Sequence, residues 1–299
     1  MSDATPILHM LSPQKHMSPF DVNMALDAGF DAVTTYTQVT LDEVTGLVQD
    51  AIFSRPPKSA VRTGLFIAGK DAILALDMLD KARSALFPPF QINLFADPAG
   101  SFTTAAAMVA KVAKVLREKK QQDLKGRRVA VFGATGVVGF SSAVIAALDG
   151  ADVTLVGYDG TKRVEKAAGE IRKRFNVDVS FADGSAEDKN SAIADKAEVV
   201  FAAGRAGVQI LSTKQIASSS SLIIAADVNA VPPAGIEGLD MQDDGKTISG
   251  SKVLAIGPLA IGQVKYQTES RLFKRMIETE KALSLDFRDA YELAKTIAG

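Results

Sequence analysis

Short apolar runs rich in β-branched residues alternate with longer helix-patterned stretches along nearly the whole chain. That alternation constrains the fold most, because strand–helix–strand repeats build parallel sheets with helices packed on their faces. The apolar runs are ILHML (7–11), AVTTYT (32–37), GLFIAG (64–69) and INLFAD (92–97), then VAVFG (129–133), DVTLVGY (152–158), VSFAD (179–183), EVVFAAG (198–204), SLIIAAD (221–227) and KVLAIG (252–257). Several helices between them have readable ends. In SPFDVNMALDAG (18–29), Ser18 caps, Pro19 fits the first helical position, Asp21 suits the first turn and Gly29 stops the helix. Thr40 and Glu43 of TLDE form a capping box. DAILALDMLDKARSALF (71–87) reads as a helix. TTAAAMVAKVAKVLREKK (103–120) reads as another, with its basic residues gathered where the C-terminal dipole favours them. RPPKSA (55–60) reads as a loop, and helical segments close the chain.

At 299 residues, the chain suits two domains of ordinary size. The polar stretch QQDLKGRR (121–128) is the natural divider, after which the strand–helix pattern restarts. We therefore expect domains over 1–122 and 123–279, with a C-terminal helical segment (280–299) returning to the first. Hydrophobic residues make up 47% of the chain, enough for buried cores. A net charge of −1 gives no global attraction to nucleic acid. The basic stretch KVLREKKQQDLKGRR lacks interleaved aromatics and reads as a solvated helix end and linker. There is no cysteine, which excludes disulfides and thiolate metal sites, and His9 and His16 are the only histidines, so no metal site is expected. No apolar stretch approaches the ~20 residues of a bilayer span, and the N-terminus has no signal-peptide pattern. The expectation is a cytoplasmic protein.

The run VFGATGVVGF (131–140) carries a strand directly into a helix through three glycines. Gly133, Gly136 and Gly139 are spaced Gly-x-x-Gly-x-x-Gly, with Ala134 where the dinucleotide fingerprint has its first glycine. Gly133 can supply the tight turn one place early. Gly136 then lets backbone approach a pyrophosphate, and Gly139 lets helix pack on strand. The N–H groups and positive dipole end of the helix suit phosphate. Thr135, Val137 and Val138 complete the loop, and Ala203 and Gly204 end a strand of the same domain. Asp159 follows Gly139 at the distance where an acid meets the ribose 2′-hydroxyl of NAD. Lys162 and Arg163 stand close by and suit the 2′-phosphate of NADP. The expected fold is therefore α/β, two domains with parallel sheets, the second a Rossmann-like NAD(P)-binding domain. The plainer alternative is a glycine-rich turn without a ligand and an aspartate that only caps a helix.

Parallel sheets bind ligands beyond the carboxyl ends of their strands, and four such loops here are polar. SPQKHMS (12–18) carries Lys15 and His16, ADPAGS (96–101) carries Asp97 and Ser101, AADVNAVPPAGIEG (225–238) carries Asp227 and Asn229, and AIGPLAIGQVKYQ (255–267) carries Lys265. Each has a plainer reading. Asp97 suits a helix cap, Lys15 and His16 suit a solvated loop, Lys265 suits an exposed helix face, and Pro232-Pro233 stiffens its loop.

The segments LHMLSPQKHMSPFDVNMALDAGFD, FADPAGSFTTAAAMVA, FGATGVVG, AADVNAVPPAGI and GPLAIGQVKYQT together resemble the methylene-tetrahydromethanopterin dehydrogenases of methylotrophic bacteria. The resemblance runs from about residue 7 to the C-terminus and is closer to the form that accepts both NAD and NADP than to the strictly NADP-dependent relative. It implies two α/β domains with the active site in the cleft between them, a homo-oligomer, and oxidation of 5,10-methylene-tetrahydromethanopterin to the methenyl form in formaldehyde oxidation. In that reading Asp97 and Lys265 are the catalytic candidates, Asp97 as a carboxylate near the developing methenyl cation. Lys15, His16, Asp21, Ser101 and Asn229 are the candidates for binding the pterin. Two other functions stay open. A methylene-tetrahydrofolate dehydrogenase shares the reacting centre, although Tyr36 lacks the lysine four residues later that such enzymes carry. A non-catalytic NAD(H)-sensing protein is the other.

Overall fold

The computed structural model describes residues 4–299. In chain order the elements are β1 (Ile7–Leu11), α1 (Pro19–Asp27), β2 (Ala32–Tyr36), α2 (Val44–Phe53), α3 (Pro57–Ala60), β3 (Thr63–Ile67), α4 (Ala72–Ala85), β4 (Asn93–Ala96) and α5 (Ser101–Lys120). They continue with β5 (Arg128–Phe132), α6 (Val137–Leu148), β6 (Asp152–Gly157), α7 (Lys162–Phe175), β7 (Ser180–Asp183), α8 (Glu187–Lys196), β8 (Val199–Ala202) and α9 (Thr213–Ser218). The last are β9 (Ile224–Asp227), β10 (Asp244–Thr247), β11 (Leu254–Ile256), α10 (Pro258–Glu278), β12 (Ser284–Leu285) and α11 (Phe287–Ala298). The residues expected to form a loop at 55–60 include the one-turn helix α3, which Pro57 starts without needing an N–H partner. No helix among the described residues is long and apolar enough to cross a membrane.

The chain divides into two units, residues 1–103 with 266–290, and residues 104–265 with 291–299. The first holds a five-stranded sheet in the order β12-β4-β3-β1-β2, and every pairing in it is parallel. TGLFI of β3 and NLFA of β4 are buried at every position, as central strands covered on both faces must be. Phe66 and Phe95 from these strands pack edge-on, 5.4 Å apart, and Phe273 of α10 meets both at 5.4 and 5.3 Å. Burying such a ring contributes roughly 1.5–3 kcal/mol.

The division differs from the expected boundary at 122/123, and the side chains explain the difference. The Asn93 amide donates to the Met276 carbonyl at 2.9 Å and its Oδ1 accepts from Leu283 N–H at 2.8 Å, while β12 adds to β4, so residues 266–290 belong with the first sheet. Lys111 of α5, almost wholly buried, donates to Asp244 of β10 at 2.6 Å, which keeps the helix with the second unit rather than the first. The C-terminal helix expected to return to the first domain is divided within α11. From there, Tyr291 donates to Asp149 in the second unit.

The second unit carries seven strands in the order β10-β11-β9-β8-β5-β6-β7, parallel except for the β10–β11 edge pair. The chain builds outward from β5 through β6 and β7, then crosses to β8, β9 and β11 on the other side. This is Rossmann topology, with its switch point between β5 and β8. The first sheet has the same property between β1 and β3. Each switch point opens a crevice at the carboxyl ends of its strands, and each of the two sites described next lies there.

Candidate active site

The glycine turn follows β5 at the second switch point. Gly133 has φ +76°, and a Cβ there would drive into the Ala203 backbone, within 2.6 Å of Gly204 N. A Cβ on Gly139 would meet the Gly133 carbonyl carbon at 2.8 Å and Ala134 Cα at 2.9 Å. The fold itself demands these two glycines. Gly136 is different. It has extended geometry (φ −79°, ψ 165°), and the only atom its Cβ would approach is the Gly133 carbonyl oxygen, at 3.4 Å. No contact among the described residues requires glycine there, and the face of the turn at Gly136 is open. Gly136 caps α6, whose first-turn N–H groups have no intrahelical acceptor. Together these give backbone clearance and unpaired N–H groups of the kind that anion binding at a helix N-terminus uses. Ala134 is fully buried and takes no part in the turn's special geometry, because Gly133 supplies it one place early. Thr135, Val137 and Val138 lie partly exposed around Gly136. Ala203, whose N–H donates to Phe132 O at 2.9 Å, and Gly204 flank the turn from β8.

Asp159 stands just beyond β6. Arg163 donates to it at 3.4 Å and to the Tyr158 hydroxyl at 3.0 Å, with the guanidinium 5.5 Å above the Tyr158 ring. The hydrogen bond to Asp159 is the main cause holding the Arg163 pKa above its ordinary value. Lys162 is exposed. The two charges that pointed toward different nucleotides are therefore paired with each other.

At the first switch point lies a cavity of about 450 Å³. Ser12, Gln14, Lys15, His16 and Met17 line it from the loop after β1, Asp21 from α1, Ala68, Gly69 and Lys70 from the loop after β3, and Ala99 from the loop after β4. The loops are tied to the strands by backbone: Ser12 N–H donates to Tyr36 O at 2.8 Å, Ala68 N–H to Leu11 O at 2.9 Å and Asp97 N–H to Ile67 O at 3.1 Å. Lys15, His16 and Asp21, all named from sequence, thus share one pocket. Lys70 was missed. The signal was there, a lysine directly after a buried strand and its glycine, but GKD reads equally as an ordinary helix start with Asp71 as cap. Asp71 does cap α4, accepting from Leu74 N–H at 2.9 Å.

Asp97 is fully buried at the end of β4. Its Oδ1 accepts from Phe102 N–H at 2.8 Å and Thr103 N–H at 3.3 Å, and its Oδ2 accepts from the Thr103 hydroxyl at 2.6 Å. It anchors the start of α5. The loop it closes holds Ala99 in the left-handed region (φ 56°, ψ 31°) at the pocket rim, a conformation costing a non-glycine residue roughly 1 kcal/mol. Ser101 begins α5, partly exposed. Asn229 is almost wholly buried, and its side chain shapes its own loop, donating to Pro233 O and accepting from Val231 N–H, each at 2.9 Å. Asp227 anchors the same loop by accepting from Asn229 N–H at 2.9 Å and Ile236 N–H at 3.0 Å. Burial nonetheless pushes its pKa up. Lys265 is half-buried on α10 in the second unit.

A Rossmann sheet whose glycine turn leaves one face clear for phosphate is the mark of a nicotinamide-nucleotide dehydrogenase, here with a polar pocket at the switch point of the other unit. Comparison with known proteins narrows the class. Residues 19–99 match the family described as methylene-tetrahydromethanopterin dehydrogenase, N-terminal. The chain is 53% identical over 296 residues to the NAD(P)-dependent methylenetetrahydromethanopterin dehydrogenase of Methylorubrum extorquens, covering 99% of this chain and 100% of that one. It is 36% identical over 298 residues to the bifunctional protein MdtA of the same organism, covering 99% and 96% of the two chains. Among solved structures it resembles shikimate 5-dehydrogenase from Listeria monocytogenes in complex with shikimate and NAD, with a TM-score of 0.50, 13% identity and coverage of 100% and 98%, a likeness of fold. The chain belongs to the methylenetetrahydromethanopterin dehydrogenase family.

Proposed function

We propose that the chain oxidises 5,10-methylene-tetrahydromethanopterin to the methenyl form, passing hydride to NAD or NADP, as a cytoplasmic homo-oligomer in formaldehyde oxidation. The end-to-end identity with the relative of that name carries the reading. The nicotinamide ring supplies the hydride acceptor. Hydride leaves a carbon between two nitrogens and the resulting cation is delocalised over them, so the step itself moves no proton and needs no acid–base pair.

The chain's own residues then have two tasks. Gly136 and the start of α6 hold the pyrophosphate. Lys15, His16 and Lys70 hold polar groups of the pterin in the first-unit pocket, with Asp21 and the Ser101 region at its edge. Alignment of donor and acceptor carbons is the main source of acceleration such an arrangement offers. We assign Asp97 a positioning role, since both of its oxygens are occupied in holding the loop that carries Ala99. Asn229 is assigned to shaping its loop. Lys265 is kept as a half-buried cation for the reacting end.

An absorbance assay of the purified protein tests the function, run with methylene-tetrahydromethanopterin and each nucleotide, with methylene-tetrahydrofolate as comparator. Turnover of the methanopterin substrate with both nucleotides is expected. Preference for the folate, or nucleotide binding without turnover of either pterin, overturns the reading.

A further inference from the structure

Asp159 and Arg163 are four residues apart, with half-exposed side chains, and their 3.4 Å pair is of the solvent-screened kind that contributes little and opens easily. The pair engages Oδ2 of Asp159, and Oδ1 has no partner among the described residues. Arg163 also rests on the Tyr158 hydroxyl and ring, so it keeps a support when it leaves the carboxylate. Both groups stand past the end of β6, beside the strand that carries the glycine turn.

We propose that this Asp159–Arg163 pair is a latch that lets one ribose site accept both nucleotides. Closed, it offers Oδ1 of Asp159 to the 2′- and 3′-hydroxyls of NAD while Arg163 offsets the carboxylate's charge. Open, Arg163 turns from Asp159 to the 2′-phosphate of NADP. A phosphate carries more charge than the carboxylate and accepts from guanidinium through two parallel bonds, so it displaces Asp159 as partner. Tyr158 is the pivot on which the guanidinium turns. The inference rests on the glycine turn holding the pyrophosphate, and not on the identity of the pterin.

Calorimetric titration with 5′-ADP and 2′,5′-ADP tests it without any pterin. Arg163→Gln is expected to weaken 2′,5′-ADP by at least about tenfold and flatten its salt dependence, while 5′-ADP changes by less than about threefold. Asp159→Asn is expected to strengthen 2′,5′-ADP and weaken NAD. Equal loss of both nucleotides in Arg163→Gln would make Arg163 a general wall of the site and overturn the latch. So would a 2′-phosphate effect that appears in Lys162→Gln and not in Arg163→Gln. Failure of the unaltered protein to bind 5′-ADP would instead overturn the glycine-turn reading, and the latch with it.

Discussion

At the β5–β8 switch point, the surface offered to a ligand is backbone: the turn at Gly133–Gly139 and the free N–H groups of α6. At the β1–β3 switch point it is side chains, with Lys15, His16, Asp21 and Lys70 brought in by separate loops and a helix. The same topological rule makes both crevices, yet their chemistry is supplied differently. A pyrophosphate is alike in every dinucleotide, so a fixed backbone cradle serves it. A particular substrate has its own pattern of polar atoms, and only side chains can match that. Substitutions should therefore act oppositely in the two places. Changes in the cradle should act through the fold or through steric exclusion, and changes in the pocket should act through affinity with little effect on the fold.

The cradle gives the largest expected effect. Gly133→Ala combines a left-handed backbone with a Cβ driven into the Ala203 backbone. It should destabilise the second unit by about 3 kcal/mol or more. Gly136→Ala, three residues on, should leave stability within about 0.5 kcal/mol and weaken nucleotide binding by at least about tenfold. Denaturant melts and nucleotide titrations of the two variants measure this contrast. If Gly136→Ala binds normally, the open face at Gly136 does not hold phosphate. If Gly133→Ala is as stable as the parent, the turn adjusts more readily than its geometry allows.

Asp97 lies on the side-chain side of the comparison but acts on the fold. Asp97→Asn keeps one acceptor and loses the charge at the N-terminus of α5, which should lower stability by roughly 1–2 kcal/mol. The catalytic consequence should appear mainly in KM, as the loop bearing Ala99 loosens. A fall in kcat with KM and melting temperature unchanged would restore the alternative, a carboxylate acting on the developing cation.

These cases show what the sequence could and could not reveal. The alternating pattern disclosed both parallel sheets because their central strands carry continuous apolar runs, such as GLFI and VAVF. It did not disclose β10, whose DGKT is polar and makes a short antiparallel edge, nor the two-residue β12. Both owe their pairing to the strand beside them. The division inside α5 was invisible because the helix has apolar residues buried on nearly every side, so its pattern does not say which sheet it serves. The glycine turn was legible because its three glycines lie within seven consecutive residues, 133–139. The pocket was legible only in the piece that is local, Lys15 to Asp21. Lys70 joins through the β1–β3 pairing, which periodicity does not report. Asp97 was legible as a position but not as a role, since cap and catalyst call for the same residue.

The pocket's cations should show smaller effects. Lys70→Ala is expected to raise KM for the pterin by about tenfold, the value of one lost charged hydrogen bond, with melting temperature unchanged because the side chain is exposed. Lys15→Ala should act in the same way. A loss of nucleotide affinity in either variant, with KM for the pterin intact, would move these lysines to the other side of the comparison.

The smallest effect distinguishes the two units by the sign of their response to acid. His9, on β1 of the first unit, has its pKa lowered, first by burial and then by the charge of Arg55. Its folded state resists protonation, so its contribution is present above the ordinary histidine value of 6.5 and is lost as pH falls below it toward the lowered one. Asp227, at the end of β9 in the second unit, has its pKa raised by burial, partly offset by backbone hydrogen bonds from Asn229, Ile236 and Gly235. Its folded state takes up a proton sooner than the unfolded chain. Its contribution is therefore fully present below the ordinary carboxyl value of 3.8 and is lost as pH rises through the raised one. Hydrogen exchange resolved by segment, corrected for intrinsic rates and measured from pH 7.5 downward, should show strands around β1 losing protection first. His9→Gln should remove that loss, while Asp227→Asn should flatten a gain around β9 at lower pH. If the two units lose protection together and neither substitution alters the slope, the pH dependence belongs to the surface charges. The buried groups at the two sheets then contribute nothing that distinguishes one unit from the other.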